Sequence, residues 1–336
     1  MTASSAARVL FICGSINQTS QLVAVAKELE EVEASFSPFY GDRLERWLVR
    51  LGLAENTIGG HKLMERCLRY LEQRQLRVDY RGARGPYDLF VTCTDLVIPT
   101  NTSSAPVVVV QEGIMDPDGI LFEVVRRFPH HVPRWIAGTS ATGLSGAYEK
   151  FCTASEGYKE YFIERGAPAE RLVVTGIPNF DNCESFLNND FPQHDYALII
   201  SSDTRETVKL DSRGRFMRWA SNIVGDRHTL IRLHPNENVK RSAREYRRYF
   251  PKAEIHADGP TDWMIANASV VVTQYSSCAF VALALGKEVY SYFDVETLRR
   301  LLPIQNRCAA SNIAEVCRQV LWPDSALRVK TREAAE

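Results

Sequence analysis

The 336-residue sequence lacks an apolar run of the roughly 18 residues that a bilayer-spanning helix requires, so we expect no integral membrane protein. It also lacks paired cysteines: none of its eight cysteines forms a CxxC motif, and several lie in apolar runs such as Val9–Cys13. We therefore expect reduced core cysteines and no zinc site or disulfide framework. An excess of basic charge is absent too, because 40 Lys and Arg against 41 Asp and Glu leave a net charge of −1. This balance disfavours a generally basic nucleic-acid-binding protein.

The first residues lack the charged start and the longer apolar segment of a signal peptide, so we expect a cytoplasmic protein. A peripheral membrane contact is left open. Trp47, Phe128 and Trp135 are its candidate residues, although core packing is the role we expect for them.

Several catalytic motifs are missing as well. The chain has no GxGxxG, GxxxxGK[ST], HExxH or GxSxG pattern. Classical dinucleotide, P-loop, zinc-protease and serine-hydrolase chemistry therefore lose support. We expect no metal and no cofactor beyond a bound substrate. Gly14, Ser15 and Asn17, in the polar loop after the first apolar segment, remain binding candidates.

Continuous apolar segments predict buried strands, and segments of helical periodicity follow them. Strands in which apolar residues do not alternate with polar ones are covered on both faces, and this favours parallel sheets packed between helices. In the first half, strands are predicted at 8–14, 87–93, 105–111, 151–154 and 171–175, with helices at 22–29, 40–52, 61–75 and 156–165. In the second half, strands are predicted at 196–201, 228–233, 253–256, 269–274 and 288–292, with helices near 213–223, 238–249, 261–267, 277–285 and 295–302.

This pattern predicts an α/β protein of two Rossmann-like, doubly wound parallel-sheet domains that face each other across a cleft. We expect domains at 1–180 and 196–325, a linker at 181–195 and a tail at 326–336. Ligands of such folds bind beyond the carboxyl ends of the strands, so functional residues are expected in the loops that follow strands.

The loop after strand 105–111 places Glu112 next to Gly113, and the carboxylate is a candidate general base. A loop acid or a helix-terminal carboxylate is the alternative. Asp116 and Asp118 follow, but an Asp-Pro-Asp turn is a weak indication of metal binding.

The loop after strand 228–233 contains His234, Pro235, Asn236 and Glu237, and Arg232 ends the strand itself. An imidazole at this position can hydrogen-bond a phosphate oxygen or donate a proton to a leaving phosphate. A structural histidine is the alternative.

Two further loops are polar. Tyr275, Ser276 and Ser277 follow strand 269–274, where the hydroxyls either cap the next helix or bind an anion. Arg205 follows strand 196–201 and could pair with a phosphate, with a solvated loop as the alternative.

The order of these motifs resembles the two-domain glycosyltransferase architecture called GT-B. The segment Glu156–Pro178 resembles the approach to the interdomain hinge, and Asp262–Ser277 followed by Ala284–Val289 resembles the half that binds the donor phosphate. The same architecture serves transferases, sugar-nucleotide epimerases and polyol-phosphate transferases.

Three landmarks resemble bacterial sialyltransferases and the capsule enzymes that transfer Kdo: Gln111-Glu112-Gly113, His234-Pro235 and Ser276-Ser277. In those families an acidic pair precedes the glycine, so Gln111 departs from the pattern. The resemblance implies that Glu112 is the general base, that His234 assists the leaving phosphate and that the two serines hold it. Arg232 and Arg205 are weaker candidates for the same phosphate.

The resemblance therefore implies a metal-independent glycosyltransferase. Its donor would be a nucleotide sugar, with a CMP-activated acidic sugar as one form, and its acceptor a cell-surface glycan or a lipid-linked glycan. Three alternatives stay open: a non-hydrolysing UDP-N-acetylglucosamine 2-epimerase, a CDP-glycerol-type polyol-phosphate transferase and a catalytically silent sugar-nucleotide-binding protein. Ser276-Ser277-Cys278 replaces the Ser-Gly-Gly turn of the epimerases, and the Arg232-Leu-His-Pro235 and Tyr275-Ser-Ser277 blocks resemble the polyol-phosphate transferases.

Overall fold

A computed structural model describes residues 6–42, 60–128, 131–202, 212–235 and 237–323. The chain divides into two compact units, one formed by Met1–Asp181 with Asn306–Glu336 and the other by Asn182–Gln305. The predicted helix at 40–52 lies almost wholly outside the described residues, as do Trp47, Arg205 and Asn236.

The first unit contains a six-stranded sheet in which every described pairing is parallel, with strand order β2-β1-β3-β4-β5-β6. Its strands are β1 (Arg8–Cys13), β2 (Glu33–Pro38), β3 (Leu89–Thr92), β4 (Val107–Val110), β5 (Lys150–Thr153) and β6 (Leu172–Val174). Its α-helices are α1 (Ile16–Lys27), α2 (His61–Gln73), α3 (Ile120–Arg127) and α4 (Glu156–Glu164).

The second unit contains a five-stranded parallel sheet with strand order β11-β10-β7-β8-β9. Its strands are β7 (Ala197–Ile200), β8 (Thr229–Arg232), β9 (Glu254–His256), β10 (Val270–Thr273) and β11 (Glu288–Tyr290). Its α-helices are α5 (Arg213–Val224), α6 (Val239–Arg247), α7 (Thr261–Asn267), α8 (Cys278–Ala284) and α9 (Val295–Arg300), and α10 (Ala309–Leu321) follows in the chain.

Two parallel sheets with interleaved helices confirm the predicted α/β fold class. All ten strands predicted from apolar runs are present, and β9 and β11 at the two edges of the second sheet are only partly buried. The central strands β4, β7 and β10 are buried at every residue.

The sequence prediction missed β2, whose residues Glu-Ala-Ser-Phe-Ser-Pro contain no apolar run. Tertiary contacts form this strand. Phe36 stacks on Phe11 of β1 with ring centroids 5.2 Å apart, and Ser35 and Ser37 are buried between neighbours. Helices α3 and α10 were not predicted either.

The compact units differ from the domain boundaries expected from the sequence. Helix α10 falls within the expected domain 196–325, but it buries Ile313, Ala314 and Cys317 in the core of the first unit with Val9 and Leu22. The chain therefore returns to its first unit after completing the second.

The stretch 181–195, expected to be a linker, belongs mostly to the second unit. The Asn267 Nδ2 donates hydrogen bonds to the Asn189 Oδ1 and to the carbonyl oxygens of Phe191 and Gln193, at 3.2, 3.1 and 3.0 Å. These contacts pack the stretch against the end of α7.

All eight cysteines are free thiols. Six are buried, as expected for core cysteines, whereas Cys278 is partly exposed and Cys308 is exposed. Among the described residues, no helix has both the length and the apolar character needed to cross a bilayer.

Candidate functional site

In the first unit, Glu112 lies just beyond the carboxyl end of β4, and two side chains from the start of α1 hold its carboxylate. The Ser15 hydroxyl donates to Glu112 Oε1 at 2.9 Å, and the Gln18 Nε2 donates to Glu112 Oε2 at 2.6 Å. Gln21, one turn further along α1, donates to the main-chain carbonyl of Glu112 at 3.2 Å. Both carboxylate oxygens thus have a fixed position.

Burial raises the pKa of Glu112, the hydrogen bonds from Gln18 and Ser15 lower it in part, and the negative charge of Asp116 raises it. The net direction is upward. A carboxyl group in such surroundings exchanges protons nearer to neutral pH than an exposed glutamate does, which suits a general base or acid.

Gly14 and Ser15 determine how α1 reaches this carboxylate. A Cβ atom on Gly14 would overlap the amide of Gln18, so the glycine leaves the path of that side chain free. Ser15 is the N-cap of α1 and accepts a hydrogen bond from the Gln18 main-chain N–H at 3.2 Å. The structure therefore places both predicted residues in the immediate support of Glu112.

Gln111, which stands where the resembling families have an acid, is completely buried. Its Nε2 donates to the carbonyl of Gly113 at 2.9 Å, and its Oε1 accepts from the Ala154 main-chain N–H at 2.9 Å. An ionised carboxylate could not make the first of these bonds, because it has no proton to donate. The amide therefore fits a role in holding the Glu112 loop against the end of β5.

Other residues of this loop region have structural contacts. The Arg165 Nη2 is 2.6 Å from Asp118 Oδ2, and Asp116 Oδ2 accepts from the Thr139 main-chain N–H at 3.2 Å. The main-chain carbonyl of the exposed Asn17 accepts a hydrogen bond from the Asn179 side-chain amide at 2.9 Å.

In the second unit, His234 lies beyond the carboxyl end of β8 with its side chain partly exposed. Its main-chain N–H donates to the Ser201 Oγ at 2.8 Å and to Glu237 Oε2 at 3.2 Å. The loop that carries the imidazole is thereby attached to the residue that follows β7. Pro235 is exposed.

Glu237 was expected among the cleft residues, but the structure buries its carboxylate completely beneath the His234 loop. The carboxylate is ion-paired with Arg213, accepts from the Ser201 hydroxyl and accepts from the Ser242 hydroxyl at 3.3 Å. The Arg213 Nη1 in turn donates to the Tyr246 hydroxyl at 3.1 Å. We call Glu237, Arg213, Ser201, Ser242 and Tyr246 the Glu237 network.

Arg232 was a candidate phosphate ligand. Its guanidinium is buried, and its Nη1 donates to the carbonyls of Leu233 and Ala257 at 2.6 and 2.5 Å while its Nε donates to the Thr261 hydroxyl at 3.1 Å. These bonds connect the end of β8 to the start of α7. They favour a structural role, and phosphate binding by Arg232 stays a prediction.

Ser276 and Ser277 lie between β10 and α8, and both are partly exposed. The Ser276 hydroxyl accepts from the Cys278 main-chain N–H at 3.3 Å, whereas the N-cap of α8 is Ser277, whose side chain makes no capping bond. The neighbouring Tyr275 is exposed and packs edge-on against Phe293, with ring centroids 5.0 Å apart.

The strand order brings these loops to one edge of the second sheet. Strand β7 lies between β10 and β8, so the loops carrying Ser276, Ser201 and His234 follow three adjacent parallel strands. The Ser202 hydroxyl also donates to the Gln274 Oε1 at 2.7 Å, which connects two of them. Hydroxyl and imidazole groups therefore collect at this edge.

Several site residues escaped the sequence prediction. Gln18 was assigned to the polar loop before the helix predicted at 22–29, and Gln21 also preceded that helix, whereas the structure begins α1 at Ile16. Arg213 was taken only as the start of a helix. Among the residues that the structure describes, no group of three or more His, Cys, Asp or Glu could hold a metal ion.

No protein-family model matches the chain, and no curated protein matches it. Solved structures do. The UDP-GlcNAc 2-epimerase from Neisseria meningitidis bound to UDP-GlcNAc is 14% identical, with 94% of this chain and 100% of that chain covered and a TM-score of 0.54. The Methanocaldococcus jannaschii UDP-GlcNAc 2-epimerase in complex with UDP-GlcNAc and UDP is 14% identical, with 92% of this chain and 99% of that chain covered and a TM-score of 0.54.

The Anabaena protein HepE in complex with UDP-glucose is 12% identical, with 97% of this chain and 99% of that chain covered and a TM-score of 0.50. At such low identities these similarities show the fold alone. They confirm the predicted GT-B-like α/β fold and give no support to the more specific resemblance to sialyl and Kdo transferases.

Proposed function

We propose that the protein is an enzyme that binds a UDP-sugar and breaks the bond between the anomeric carbon of the sugar and the oxygen of the β-phosphate. The observation that carries the proposal is Glu112, a carboxyl group with a raised pKa, held on both oxygens at the end of a parallel strand. The UDP-sugars bound to proteins of the same fold support the choice of ligand.

In this proposal Glu112 transfers a proton to or from the sugar or an acceptor. His234, Ser276 and Ser277, whose loops share one edge of the second sheet, hydrogen-bond the phosphates and stabilise the charge that grows as UDP leaves. The Glu237 network holds the His234 loop in position.

The first candidate reaction is epimerisation of the sugar at C2. Removal of a proton from carbon requires a base stronger than an ordinary exposed carboxylate, and burial makes Glu112 such a base. In this candidate the proton on C2 passes to the carboxylate, the electrons of the C2–H bond form a C1=C2 double bond, and the electrons of the C1–O bond leave with UDP. A proton then adds to C2 from the other face as UDP bonds to C1 again. UDP-GlcNAc 2-epimerases among the proteins of this fold support this candidate.

The second candidate is transfer of the sugar to a hydroxyl of a glycan or a lipid-linked glycan, with Glu112 accepting the hydroxyl proton. One observation favours it: the turn after β10 reads Ser276-Ser277-Cys278. The epimerases that this chain resembles have glycines at the last two positions. Side chains there restrict the close backbone approach that glycines allow.

The two candidates give different products from the same substrate. The purified protein is incubated with UDP-GlcNAc in deuterium oxide without an acceptor, and the sugar is followed by nuclear magnetic resonance. Deuterium at C2 and an inverted configuration indicate epimerisation. Release of UDP only after a glycan or glycolipid fraction is added indicates transfer. The same incubations are repeated with a panel of other UDP-sugars. Binding of UDP without either reaction from any of them would refute the enzyme proposal in favour of a silent sugar-nucleotide-binding protein.

Glu112→Gln tests the assignment of the base in either reaction. We expect turnover to fall by roughly 10²–10⁴-fold, because a positioned proton-transfer group contributes about that much. UDP affinity should stay unchanged. Glu123→Gln, an exposed carboxylate on α3, is the matched control and should retain full turnover. Full turnover in Glu112→Gln would remove Glu112 from the mechanism.

A further inference from the structure

An exposed apolar surface covers α3 and the short 3₁₀ segment Arg134–Ala141 that packs against it. Ile120 is 85% exposed, Leu121 52% and Phe128 50%, far more than is typical of such large apolar side chains. We call Ile120, Leu121, Val124, Phe128, Trp135 and Ile136 the α3 surface; all six are exposed.

The helix has apolar residues on two sides, and only one side is buried. Phe122 and Val125, three residues apart, face the core. Ile120, Val124 and Phe128 follow one another at four-residue spacing along the outward side. A surface helix normally carries polar residues there, so this outward side is built to contact something apolar. The core packing expected for Phe128 and Trp135 is therefore wrong.

Basic residues surround the apolar side chains. Between residues 120 and 136 the chain has Arg126 and Arg127 on α3 against the single acid Glu123, while the partly exposed Arg134 places its charge near the buried carboxylate of Asp95. Glu123 is paired with Arg126 at 2.7 Å, and Arg127 is exposed. The surface therefore combines Trp, Phe and aliphatic side chains with one positive charge in excess, that of Arg127.

We propose that the α3 surface docks on an anionic lipid membrane, with its apolar side chains entering the headgroup region and its arginines contacting lipid phosphates. Trp and Phe next to arginine are the composition of interfacial membrane-binding segments. The long aliphatic stems of arginine allow the charge to reach the lipid phosphates from such a position.

The charge distribution also argues against a second copy of the chain as the occupant. In a two-fold contact the same surface meets itself, so the charges of Arg127 from both copies would come together. An anionic membrane neutralises that charge instead.

The surface begins ten residues after the end of β4, on the same connection that carries Glu112. The Arg165–Asp118 ion pair, with 2.6 Å between Nη2 and Oδ2, joins this connection to α4 just before α3 starts. Docking through α3 would therefore bring the Glu112 loop near the membrane. Vesicle binding itself does not depend on the proposed reaction.

The test uses the full-length protein with two sets of vesicles, phosphatidylcholine alone and phosphatidylcholine mixed with phosphatidylglycerol. Flotation measures the bound fraction. We expect binding to the anionic vesicles that weakens as salt rises, and much weaker binding to the neutral ones. The double variant Leu121→Ser with Phe128→Ser should lower the partition coefficient roughly tenfold or more, because two large apolar groups no longer enter the lipid.

Arg127→Gln should lower binding to anionic vesicles about fivefold. Two control variants lie in the second unit at side chains that are exposed like those replaced in α3. Leu187→Ser is the control for the apolar change and Arg300→Gln for the charge change, and neither should affect vesicle binding. Thermal melting checks that each variant is folded.

Absence of binding to the anionic vesicles overturns the proposal, as does equal binding by the double variant and the parent protein. A third refuting outcome is that the parent protein sediments in the absence of lipid, because the α3 surface would then be covered by self-association and not by a membrane. If the parent forms dimers, the double variant does not, and vesicles bind neither, the α3 surface is a self-interface.

Discussion

At the scale of single residues, Glu112 is controlled by two opposing effects. Burial disfavours the charged form and raises its pKa, whereas the donors Ser15 and Gln18 favour the charged form and lower it. Gln18 reaches the carboxylate because position 14 is glycine. The proton affinity of the proposed base therefore depends on residues nearly 100 positions earlier in the sequence.

Replacing Gln18 by Leu removes one donor to the carboxylate and keeps a similar side-chain volume. Loss of a hydrogen bond that stabilises the charged form raises the pKa of Glu112 further. A base works only when it is deprotonated, so the acidic limb of the pH profile of kcat/KM should move to higher pH. The profile is measured with whichever UDP-sugar proves to be the substrate.

Gln21→Leu is the matched control for this experiment. Gln21 donates to the main-chain carbonyl of Glu112 and not to the carboxylate, so the acidic limb should keep its position. An acidic limb at the same pH in Gln18→Leu and in the parent protein would show that Glu112 is not the group that titrates.

The sequence predicted Glu112, His234, Ser276 and Ser277 from one simple feature, polar residues directly after apolar strands. It did not predict the partners that hold them. Gln18 lies within a helix, and Arg213 is separated from Glu237 by 24 positions, so only the folded chain brings these groups together. The buried position of Glu237 could not be predicted for the same reason.

At the scale of secondary-structure elements, the Glu237 network joins the start of α5, the residue after β7 and the helix α6 beneath the His234 loop. A buried ion pair of this kind contributes little net stability compared with apolar packing, but removing one partner leaves an uncompensated buried charge. The network is therefore sensitive to single substitutions.

Arg213→Met leaves the Glu237 carboxylate buried without its cation, and we expect a loss of about 3–5 kcal/mol in the free energy of unfolding of the second unit. Glu237→Leu should cost a similar amount. The double variant should lose clearly less than the sum of the two, because no unpaired charge remains. Amide hydrogen exchange of β7 and β8 at increasing denaturant measures each value.

A salt bridge on the surface, Arg299 with Glu296, serves as the control pair, and its variants should change stability by at most about 1 kcal/mol. Strictly additive losses in the Arg213 and Glu237 cycle would mean that the two side chains are not coupled.

Element prediction succeeded where burial on both faces produces continuous apolar runs, as in β4, β7 and β10. It failed for β2, which is polar in sequence and acquires its strand conformation by pairing with β1. It also missed α3, whose outward apolar residues obscure the usual alternation of buried and exposed faces.

At the scale of the whole molecule, the chain leaves the first unit at Asp181, builds the second and returns at Asn306. Helix α10 then completes the core of the first unit, where Ile313 and Val316 pack with residues of β1, α1 and β3. The last helix among the described residues, α10, is therefore part of the support of the sheet that carries Glu112.

Ile313→Ala should destabilise the first unit by about 2–5 kcal/mol, because it opens a cavity in a fully buried site. Amide exchange should accelerate in β1 and β3 and stay unchanged in β7 and β8. Ile231→Ala in the core of the second unit is the matched control and should give the opposite pattern. Equal acceleration in both sheets after either substitution would show that the two units unfold as one.

The sequence by itself determined the parallel α/β fold, because two local patterns can be recognised in it. Continuous apolar runs have the length of strands, and the segments between them have the apolar spacing of helices. It also placed the polar residues that follow those strands. Only the tertiary structure decided that α10 belongs to the first unit and that the apolar side chains of α3 remain exposed. It also decided that Gln18 supports Glu112 and that Arg213 supports the His234 loop. The physical reason is that burial, pKa and ion pairing depend on which distant segments pack together, and local sequence does not encode those neighbours.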